Sequence, residues 1–426
     1  MESLQWAQEL VDEPKLKEII SSIQESVEKE WKKVDEVVAF NQIRVLDAFR
    51  HNNVGEEDFQ PGSGYGYNDQ GREKLEEIFA RVFGGEKALV RPHFVSGTHT
   101  LITALKGLLR PGEKFISITG TPYDTLKHVM GYHNNELLGK GTLAEWGIEY
   151  EELGLNNTGF PKLEKLSEKF SPEVKLAYIQ RSPGYDSGRK SINLDDMEII
   201  VKAIREVSPQ TIIMVDNCYG EFVEPREPLE CGVDIIAGSL IKNPGGAIAP
   251  SGGYVVGSNV LVDKVAASLT APGLEGNLGA MENKRLFYMG LFYAPALTGN
   301  AMKSSIFAAA LFEQLGYEVN PKYNNRRGDI VQAIHFKNSE LVQSFCRSIQ
   351  DNSPVDSRYA PEPASVPGYE VPVIMAAGTF VQGSSSEFSA DAPMKEPYSV
   401  FLQGGFTLYH ALIGICRSAE ELLNYN

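Results

Sequence analysis

The sequence of 426 residues is poor in the residues and motifs that mark several classes of protein. Its 4 cysteines are scattered and form no CxxC pair, so neither a disulfide scaffold nor a redox dithiol is expected. Its 7 histidines include no HExxH motif, and no Cys/His cluster has the spacing of zinc ligands, so we expect no metal site. A Walker A sequence is lacking, and the glycines of GSGYGYNDQG follow no predicted strand, which argues against a dinucleotide-binding motif.

Basic tracts and long apolar runs are also lacking. The formal net charge of −16, without any Lys/Arg-rich segment, argues against nucleic acid or an anionic membrane as a partner. The longest apolar run, LFYMGLFYAPALTGNAM, contains Pro295, Gly299 and Asn300 and is too short to cross a bilayer. The first residues, MESLQWAQELVDEPKLKEII, are acidic and amphipathic and do not resemble a signal peptide. We therefore expect a cytoplasmic protein with no membrane partner.

The chain does contain a change of pattern along its length. Residues 1–60 are predicted to form an N-terminal helical arm, with two amphipathic helices before residue 50. Residues 61–285 alternate short apolar strands with helices, which is typical of a large α/β domain with a mostly parallel sheet. Residues 286–426 begin with a long apolar helix and continue as a smaller α+β domain. The seven predicted strands of the large domain are KALVR, KFISITG, IEYEEL, KLAYIQ, TIIMVDN, DIIAGSL and GGYVVG.

Polar residues follow several of these strands at their carboxyl ends, where open α/β sheets bind ligands. Ser96, Gly97 and Thr98 in VSGTHT follow one strand and open a helix. The backbone N–H groups, hydroxyls and positive dipole end at such a turn suit a phosphate. An ordinary helix N-cap explains one of the hydroxyls equally well.

Three further strand ends carry residue types that suit a cofactor. Tyr123 follows KFISITG, and Asp216 ends the apolar segment IIMVD. That aspartate is either a capping or salt-bridged residue or the partner of a cationic ligand nitrogen. Lys242 follows DIIAGSL, with Ser239 shortly before it, among Gly, Pro, Ser and Ala. This lysine either points to water from a plain loop or carries a reactive amine, with glycines that let the main chain approach a ligand.

In chain order these positions supply a phosphate cradle, an aromatic plate, a carboxylate and a lysine. Pyridoxal 5′-phosphate requires all four: a helix N-terminus for its phosphate, a stacking face, an acid that keeps the ring nitrogen protonated, and an amine for its aldehyde. The combination therefore predicts this cofactor, with Lys242 as the catalytic amine. We also expect desolvation and nearby cationic character to lower the pKa of Lys242.

The chain resembles the fold-type-I pyridoxal-phosphate enzymes, and among them the aluminium resistance or methionine γ-lyase-like proteins related to the lyases of Cys/Met metabolism. The resemblance covers nearly the whole chain, and its most specific segments are GYGYNDQGREKLEEIFARVFG, RPHFVSGTHT, TGTPYDTL, VDNCYGEF and GSLIKNPGG. It implies an aspartate-aminotransferase-like large domain and a lyase that cleaves the carbon–sulfur bond of a small amino-acid substrate. Two alternatives stay open: an aminotransferase, which the Ser-x-x-Lys spacing resembles, and a non-catalytic relative acting in metal tolerance.

The same resemblance implies roles for individual residues. Lys242 would hold the cofactor's aldehyde, Asp216 would pair with its ring nitrogen, and Tyr123 would stack on the ring and share in catalysis. The other expected cofactor contacts are Ser96, Gly97, Thr98 and Ser239 at the phosphate, and Tyr219 and Ser182, with Gln180 and Arg181, near the phenolic edge of the ring.

The resemblance further implies a homo-oligomer, a dimer or a dimer of dimers, whose active sites are shared between subunits. Tyr65 and Tyr67, in a glycine-rich loop, would reach the phosphate site of the neighbouring subunit, although the loop can also be read as a mobile surface segment. The arginine that binds the substrate carboxylate is not evident. Arg358 and Arg417 are the candidates, and the context of Arg417 is more typical of an exposed helix.

Overall fold

A computed structural model describes residues 4–133, 136–137, 141–186 and 188–425. In chain order its strands are β1 (Lys87–Arg91), β2 (Lys114–Ser117), β3 (Tyr132–His133), β4 (Glu136–Leu137), β5 (Glu149–Glu152), β6 (Val174–Gln180), β7 (Ile212–Asp216), β8 (Ile235–Ser239), β9 (Gly253–Gly257), β10 (Glu318–Asn320), β11 (Gln332–His335), β12 (Val373–Ala376), β13 (Phe388–Pro393) and β14 (Ser399–Gly404). Its α-helices are α1 (Pro14–His51), α2 (Gln70–Phe83), α3 (Gly97–Leu108), α4 (Asp124–Met130), α5 (Leu166–Lys169), α6 (Leu194–Val207), α7 (Asn259–Leu269), α8 (Lys284–Gln314), α9 (Ser339–Asp351) and α10 (Leu408–Tyr425).

The larger of two main sheets has 7 strands in the order β1-β9-β8-β7-β6-β2-β5. Its central strands β8, β7, β6 and β2, with β5 at the edge, run parallel, and β9 runs antiparallel to both β8 and β1. Every residue of β8 and β9 is buried, as expected for strands covered on both faces. All the strands predicted for the large domain lie in this sheet, so the predicted α/β fold with a mostly parallel seven-stranded sheet is confirmed.

Helices cover both faces of this sheet. On one face α3 and α7 pack together through Leu101, Leu105, Val262 and Val265. Gly107 allows their close approach, because a Cβ there would lie 2.8 Å from the main chain of α7. The other face is covered by α2 and α6. Burial of such apolar side chains stabilises the layers by about 1.5–3 kcal/mol each.

The smaller sheet has 5 antiparallel strands in the order β10-β11-β14-β13-β12. Helices α9 and α10 pack against it through Phe345, Ile349, Leu412 and Ile415. The predicted second α+β layer is therefore present.

The N-terminal region differs from its prediction, because α1 is one continuous helix from Pro14 to His51 and not two. Its buried residues, among them Ile20, Val27 and Val34, recur at helical spacing without an internal proline or glycine to break the helix. This face packs against α8, where a Cβ on Gly299 would lie 2.2 Å from Val38. The predicted domain bounds, 1–60, 61–285 and 286–426, stay predictions.

The long apolar helix that was predicted after residue 285 is α8, which contains Pro295. Most of α8 is buried between α1 and the smaller sheet, which explains its apolar composition. Within the described ranges, no helix combines the length and the apolar character needed to cross a membrane.

Candidate active site

A cavity of about 770 Å³ opens at the carboxyl ends of β2, β6, β7 and β8, and the smaller sheet forms its opposite wall. This volume suits a cofactor together with a small substrate. The lining residues from the larger sheet's side include Gly97, Thr98, Tyr123, Gln180, Ser182, Arg189, Asp216, Cys218, Tyr219, Ser239 and Lys242. Those from the smaller sheet's side include Pro393, Lys395, Ser399, Phe401 and Gln403.

The turn before α3 forms one end of the cavity. The Ser96 hydroxyl accepts a hydrogen bond from the His99 N–H at 3.0 Å, so it caps the helix, and Ser96 lies outside the cavity lining. Gly97 and Thr98 do line the cavity, and Ser239 faces them. A Cβ on Gly97 would come 3.3 Å from the Ser239 Cβ, so any side chain here would crowd the cradle. The helix N-terminus and two hydroxyls therefore converge as an anion-binding corner.

Tyr123 spans the cavity from this corner to the end of β6. Its hydroxyl lies 3.2 Å from Thr98 Oγ1, and its backbone N–H donates to Gln180 Oε1 at 3.1 Å. Burial raises the pKa of Tyr123 well above its ordinary value, with the Asp216 carboxylate adding to the effect. The side chain is therefore a neutral phenol, fixed at both ends, whose ring can serve as a stacking face.

Asp216 lies at the end of β7 and is buried. One carboxylate oxygen accepts from the Cys218 N–H at 3.1 Å and the other from the Tyr178 hydroxyl at 3.2 Å. Burial raises the pKa of Asp216, because the charged form is removed from water. A buried carboxylate of this kind is stabilised by a cationic partner, such as a protonated ring nitrogen.

The Lys242 amine is held from both walls of the cavity. Its Nζ donates to Ser385 Oγ at 2.5 Å, and the Tyr219 hydroxyl lies 3.1 Å from the same oxygen. The Nζ also lies 4.7 Å from the centroid of the Tyr219 ring. Tyr219 adopts φ 70°, a backbone conformation that few non-glycine residues tolerate, so the turn after β7 is strained where it aims this ring.

Two expectations about Lys242 were wrong. Burial acts to lower its pKa, but Tyr219, Cys218 and Asp391 act in the opposite direction, and the pKa of Lys242 is raised. The glycines after it serve packing within the protein and not approach to a ligand. A Cβ on Gly245 would lie 1.5 Å from the Leu240 carbonyl oxygen. A Cβ on Gly246, whose φ is 58°, would lie 2.2 Å from the carbonyl oxygen of Gly290 in α8.

The polar residues on the smaller sheet's side of the cavity were not predicted from the sequence. Ser385 contacts the lysine, and Asp391 on β13 accepts from the Tyr185 hydroxyl at 2.9 Å and the Gln403 side chain at 3.0 Å. Burial raises the pKa of Asp391. A signal did exist, because β13 reads FSADAP, and an aspartate within a fully buried strand is unusual outside a functional site.

Several predicted residues lie away from the cavity. Arg181 points into a buried network, donating to Asn217 Oδ1 and Glu224 Oε2, each at 2.9 Å. Arg358 and Arg417 are both exposed and do not line the cavity. Arg417 pairs with Glu420 on α10 at 3.0 Å, which confirms it as an exposed helix residue.

Tyr65 and Tyr67 also lie outside the cavity of their own chain. Their side chains are 72% and 62% exposed, and their ring centroids are 5.7 Å apart. The loop that carries them is fixed by Arg72, which is buried and donates to the carbonyl oxygens of Gly66 at 2.8 Å and Gly279 at 3.0 Å. Their predicted role in a neighbouring subunit stays a prediction.

The sheet order, together with a lysine, an aspartate and a tyrosine at its carboxyl edge, defines the fold of the fold-type-I pyridoxal-phosphate enzymes. The pyridoxal-5′-phosphate dependent protein YhfS from Escherichia coli shares it, with a TM-score of 0.60 at 16% identity over 91% of this chain and 96% of that chain.

Closer relatives define the family. The chain matches the methionine gamma-lyase family over residues 16–423, and it belongs to that family. It is 40% identical to the uncharacterized protein YnbB of Bacillus subtilis (strain 168), over 96% of each chain. A carbon–sulfur lyase involved in aluminum resistance from Clostridium novyi NT is 42% identical over 98% of this chain and 97% of that chain, with a TM-score of 0.91.

Proposed function

We propose that this protein is a pyridoxal-phosphate-dependent lyase that cleaves the carbon–sulfur bond of a sulfur-containing amino acid. The observation that carries the proposal is the meeting of Lys242, Asp216 and Tyr123 in one cavity, with the lysine amine held by Ser385. Membership of the methionine gamma-lyase family and the name of the Clostridium novyi relative support the reaction class.

The residues of the cavity fit the proposed cofactor. The corner at Gly97, Thr98 and Ser239 offers donors to a phosphate, and the space there is kept open by the missing Cβ of Gly97. The buried Asp216 carboxylate suits a protonated ring nitrogen, and the Tyr123 ring offers a stacking face. The Lys242 amine lies on the same cavity and suits the aldehyde.

Each group then has a defined task. Bound pyridoxal phosphate supplies an electron sink for the electron pair left when the substrate loses its Cα proton. Once the substrate's amino group has replaced it at the aldehyde, Lys242 Nζ would be a neutral amine and would take that proton, and Ser385 and Tyr219 would hold the amine in the geometry for the transfer. The carbon–sulfur bond would then break. The sulfur would leave with a proton, as a thiol or, from cysteine and homocysteine, as hydrogen sulfide, and water would convert the remaining fragment to a keto acid and ammonia. Asp216 remains charged throughout, which sustains the electron sink.

The direct test offers the purified protein L-methionine, L-cysteine, L-homocysteine and L-cystathionine and measures thiol, keto acid and ammonia. We expect equal amounts of the three products from at least one amino acid, and none from a Lys242→Ala control. Conversion of an added keto acid to an amino acid without thiol would instead identify an aminotransferase, which the placement of Ser239 and Lys242 on one cavity also suits. No turnover of either kind by folded protein would leave the non-catalytic alternative.

We further propose that the active site is shared between subunits of a homo-oligomer. The support is the pair Tyr65 and Tyr67, exposed on a loop that Arg72 holds in place. Other exposed apolar side chains, Phe40, Ile43 and Leu46, lie on α1. Mixing Lys242→Ala subunits with Tyr65→Phe/Tyr67→Phe subunits should restore activity, because a hybrid contains one site built from intact halves. Subunit exchange without recovery would contradict this arrangement.

A further inference from the structure

Arg189 is a buried cation on the wall of the candidate active site. It lies in the loop between β6 and α6, is 2% exposed, and lines the same cavity as Lys242 and Tyr123. Nothing in the sequence marked it, because it sits among small and polar residues after the strand end.

The Arg189 guanidinium lacks the partners that a buried arginine normally has. Its Nη2 donates to the Thr121 carbonyl oxygen at 2.8 Å, whereas its Nε has no hydrogen-bond partner among the described residues. Among the described residues, no carboxylate lies within ion-pair distance of the Arg189 guanidinium. Asp186, Glu152 and Asp216 interact with its charge only from further away. A buried cation without a counter-ion is costly, so an anion in the cavity would stabilise it.

Comparison with another buried arginine of the same loop region shows the difference. Arg181 is also fully buried, but its guanidinium contacts the Glu224 carboxylate at 2.9 Å and points away from the cavity. Arg327 is also buried, and no ion pair forms with it in the described ranges, yet it does not line the cavity. Arg189 combines both properties, an unpaired charge and a place on the cavity wall.

The position of Arg189 separates it from the anion-binding corner at α3. Tyr123 reaches that corner with its hydroxyl, which contacts Thr98. Arg189 instead contacts the carbonyl of Thr121, on the main chain that leads into Tyr123, so it lies at the opposite end of the ring. The two anion sites are therefore distinct, one suited to a phosphate and one to a second anion.

We propose that Arg189 binds the carboxylate of the amino-acid substrate. The inference rests on the proposed function, and it assigns to the loop after β6 the task for which Arg358 and Arg417 were the sequence candidates. A guanidinium with free N–H groups can bind a carboxylate through two parallel hydrogen bonds, which also fixes the substrate's orientation. Lys127, another cation on the cavity lining, already lies near two carboxylates, those of Asp124 and Glu370.

The experiment compares each of the four sulfur amino acids named above with its carboxamide, which lacks the negative charge. Binding to the purified enzyme is measured by rapid-mixing absorbance, before turnover consumes the ligand. Wild type should bind the acid more tightly than the amide, and Arg189→Gln should weaken the acid roughly 30-fold or more while changing the amide less than about threefold. Arg189→Lys should be intermediate, because an ammonium keeps the charge but not the paired donors.

Lys190→Gln is the matched control, since it removes one positive charge from the neighbouring residue, which is exposed and pairs with Asp196 at 2.8 Å. It should bind acid and amide as wild type does. The inference is overturned if Arg189→Gln retains the preference for the acid, or if wild type shows no such preference. It is also overturned if Arg189→Gln loses bound cofactor, because the arginine would then serve the phosphate. If wild type prefers the acid and Arg189→Gln loses that preference, but no amino acid is cleaved, only the proposed reaction is contradicted.

Discussion

The two walls of the cavity follow different structural rules. The wall on the larger sheet presents Asp216, Ser239 and Lys242 at or just beyond the carboxyl ends of parallel strands. On the smaller sheet's side, Gln403 lines the cavity near the end of the antiparallel strand β14, Asp391 bonds to it from β13, and Ser385, in the loop before β13, contacts Lys242. In a parallel sheet all strands end at one edge, so residues far apart in sequence must meet there. An antiparallel sheet has no such edge.

The two walls therefore differ in the roles that we propose for them. The wall on the larger sheet holds the groups that would bind the cofactor and move the proton. The opposite wall holds the lysine amine in position through Ser385, and Asp391 adds to the effect of Tyr219 and Cys218 in raising the pKa of the lysine. Substitutions on the first wall should therefore have larger effects on turnover than those on the second.

Lys242→Ala should have the largest effect, because it removes the amine that would take the Cα proton in the proposed reaction. We expect turnover to fall by roughly 10³-fold or more, since a positioned general base contributes about 10²–10⁴-fold and the bond to the cofactor is lost as well. Product release is measured alongside thermal unfolding, which should change little. Lys242→Arg, which keeps the charge but not a reactive amine, should be equally inactive; an active Arg variant would contradict the assignment.

Asp216→Ala should come second. Loss of the buried carboxylate weakens the stabilisation of a protonated ring nitrogen, at a cost of roughly 3 kcal/mol, or on the order of a hundredfold in rate. Asp216→Asn keeps the shape of the side chain and should be impaired almost as much, because the charge is what matters. Turnover and cofactor absorbance are measured for both variants. Near-normal turnover of Asp216→Asn would show that another residue pairs with the ring.

The strand-end residues predicted from the sequence do meet on the wall of the larger sheet, for a physical reason. Asp216, Tyr123 and Lys242 each follow an apolar strand, and the topology of a mostly parallel sheet then brings them together. The same reasoning also located Gly97 and Thr98 at the start of α3. It placed Arg181 in the site wrongly, because strand-end position does not reveal which way a side chain points.

The residues of the wall on the smaller sheet could not be predicted in this way. Ser385 reaches Lys242 only because the smaller sheet folds back over the cavity, a long-range arrangement that no local pattern encodes. The raised pKa of Lys242 was missed because the sequence does not show that Tyr219 and Cys218, with Asp391 from the smaller sheet, outweigh the effect of burial. Two helices were predicted where α1 is continuous. After Pro14 at its first position, the helix contains no proline or glycine that would break it.

Ser385→Ala tests the contribution of the smaller wall to the lysine. The hydrogen bond from Lys242 Nζ is lost, and a charged hydrogen bond contributes about 1.5–3 kcal/mol, so we expect roughly a tenfold fall in kcat with water in part replacing the hydroxyl. Ser384→Ala is the matched control, because the Oγ of that buried serine has no hydrogen-bond partner among the residues that the structure describes. If both variants lose activity equally, the effect lies in the loop and not in the contact with the lysine.

Asp391→Asn should have the smallest effect on turnover and a distinct effect on stability. Asp391 Oδ2 accepts from Tyr185 and Gln403, and an asparagine oxygen can keep at least one of these bonds. Gln403 can turn its amide to match the new donor, because within the described part of the chain its Oε1 has no hydrogen-bond partner. We therefore expect the fold to be retained, with a change in how the free energy of unfolding depends on pH.

The direction follows from the raised pKa of Asp391, which burial causes. The folded state keeps the proton to a higher pH than the unfolded state, so the stability linked to this residue is full below the unfolded pKa, about 4, and is lost as pH rises through the folded pKa. Asp391→Asn removes that loss, by at most about 1.4 kcal/mol per pH unit within this window. Denaturant unfolding at several pH values measures the slope, with Asp351→Asn as an exposed control of equal charge change. A slope identical to wild type would mean that Asp391 is already charged throughout, and that the smaller wall faces Lys242 with a permanent anion.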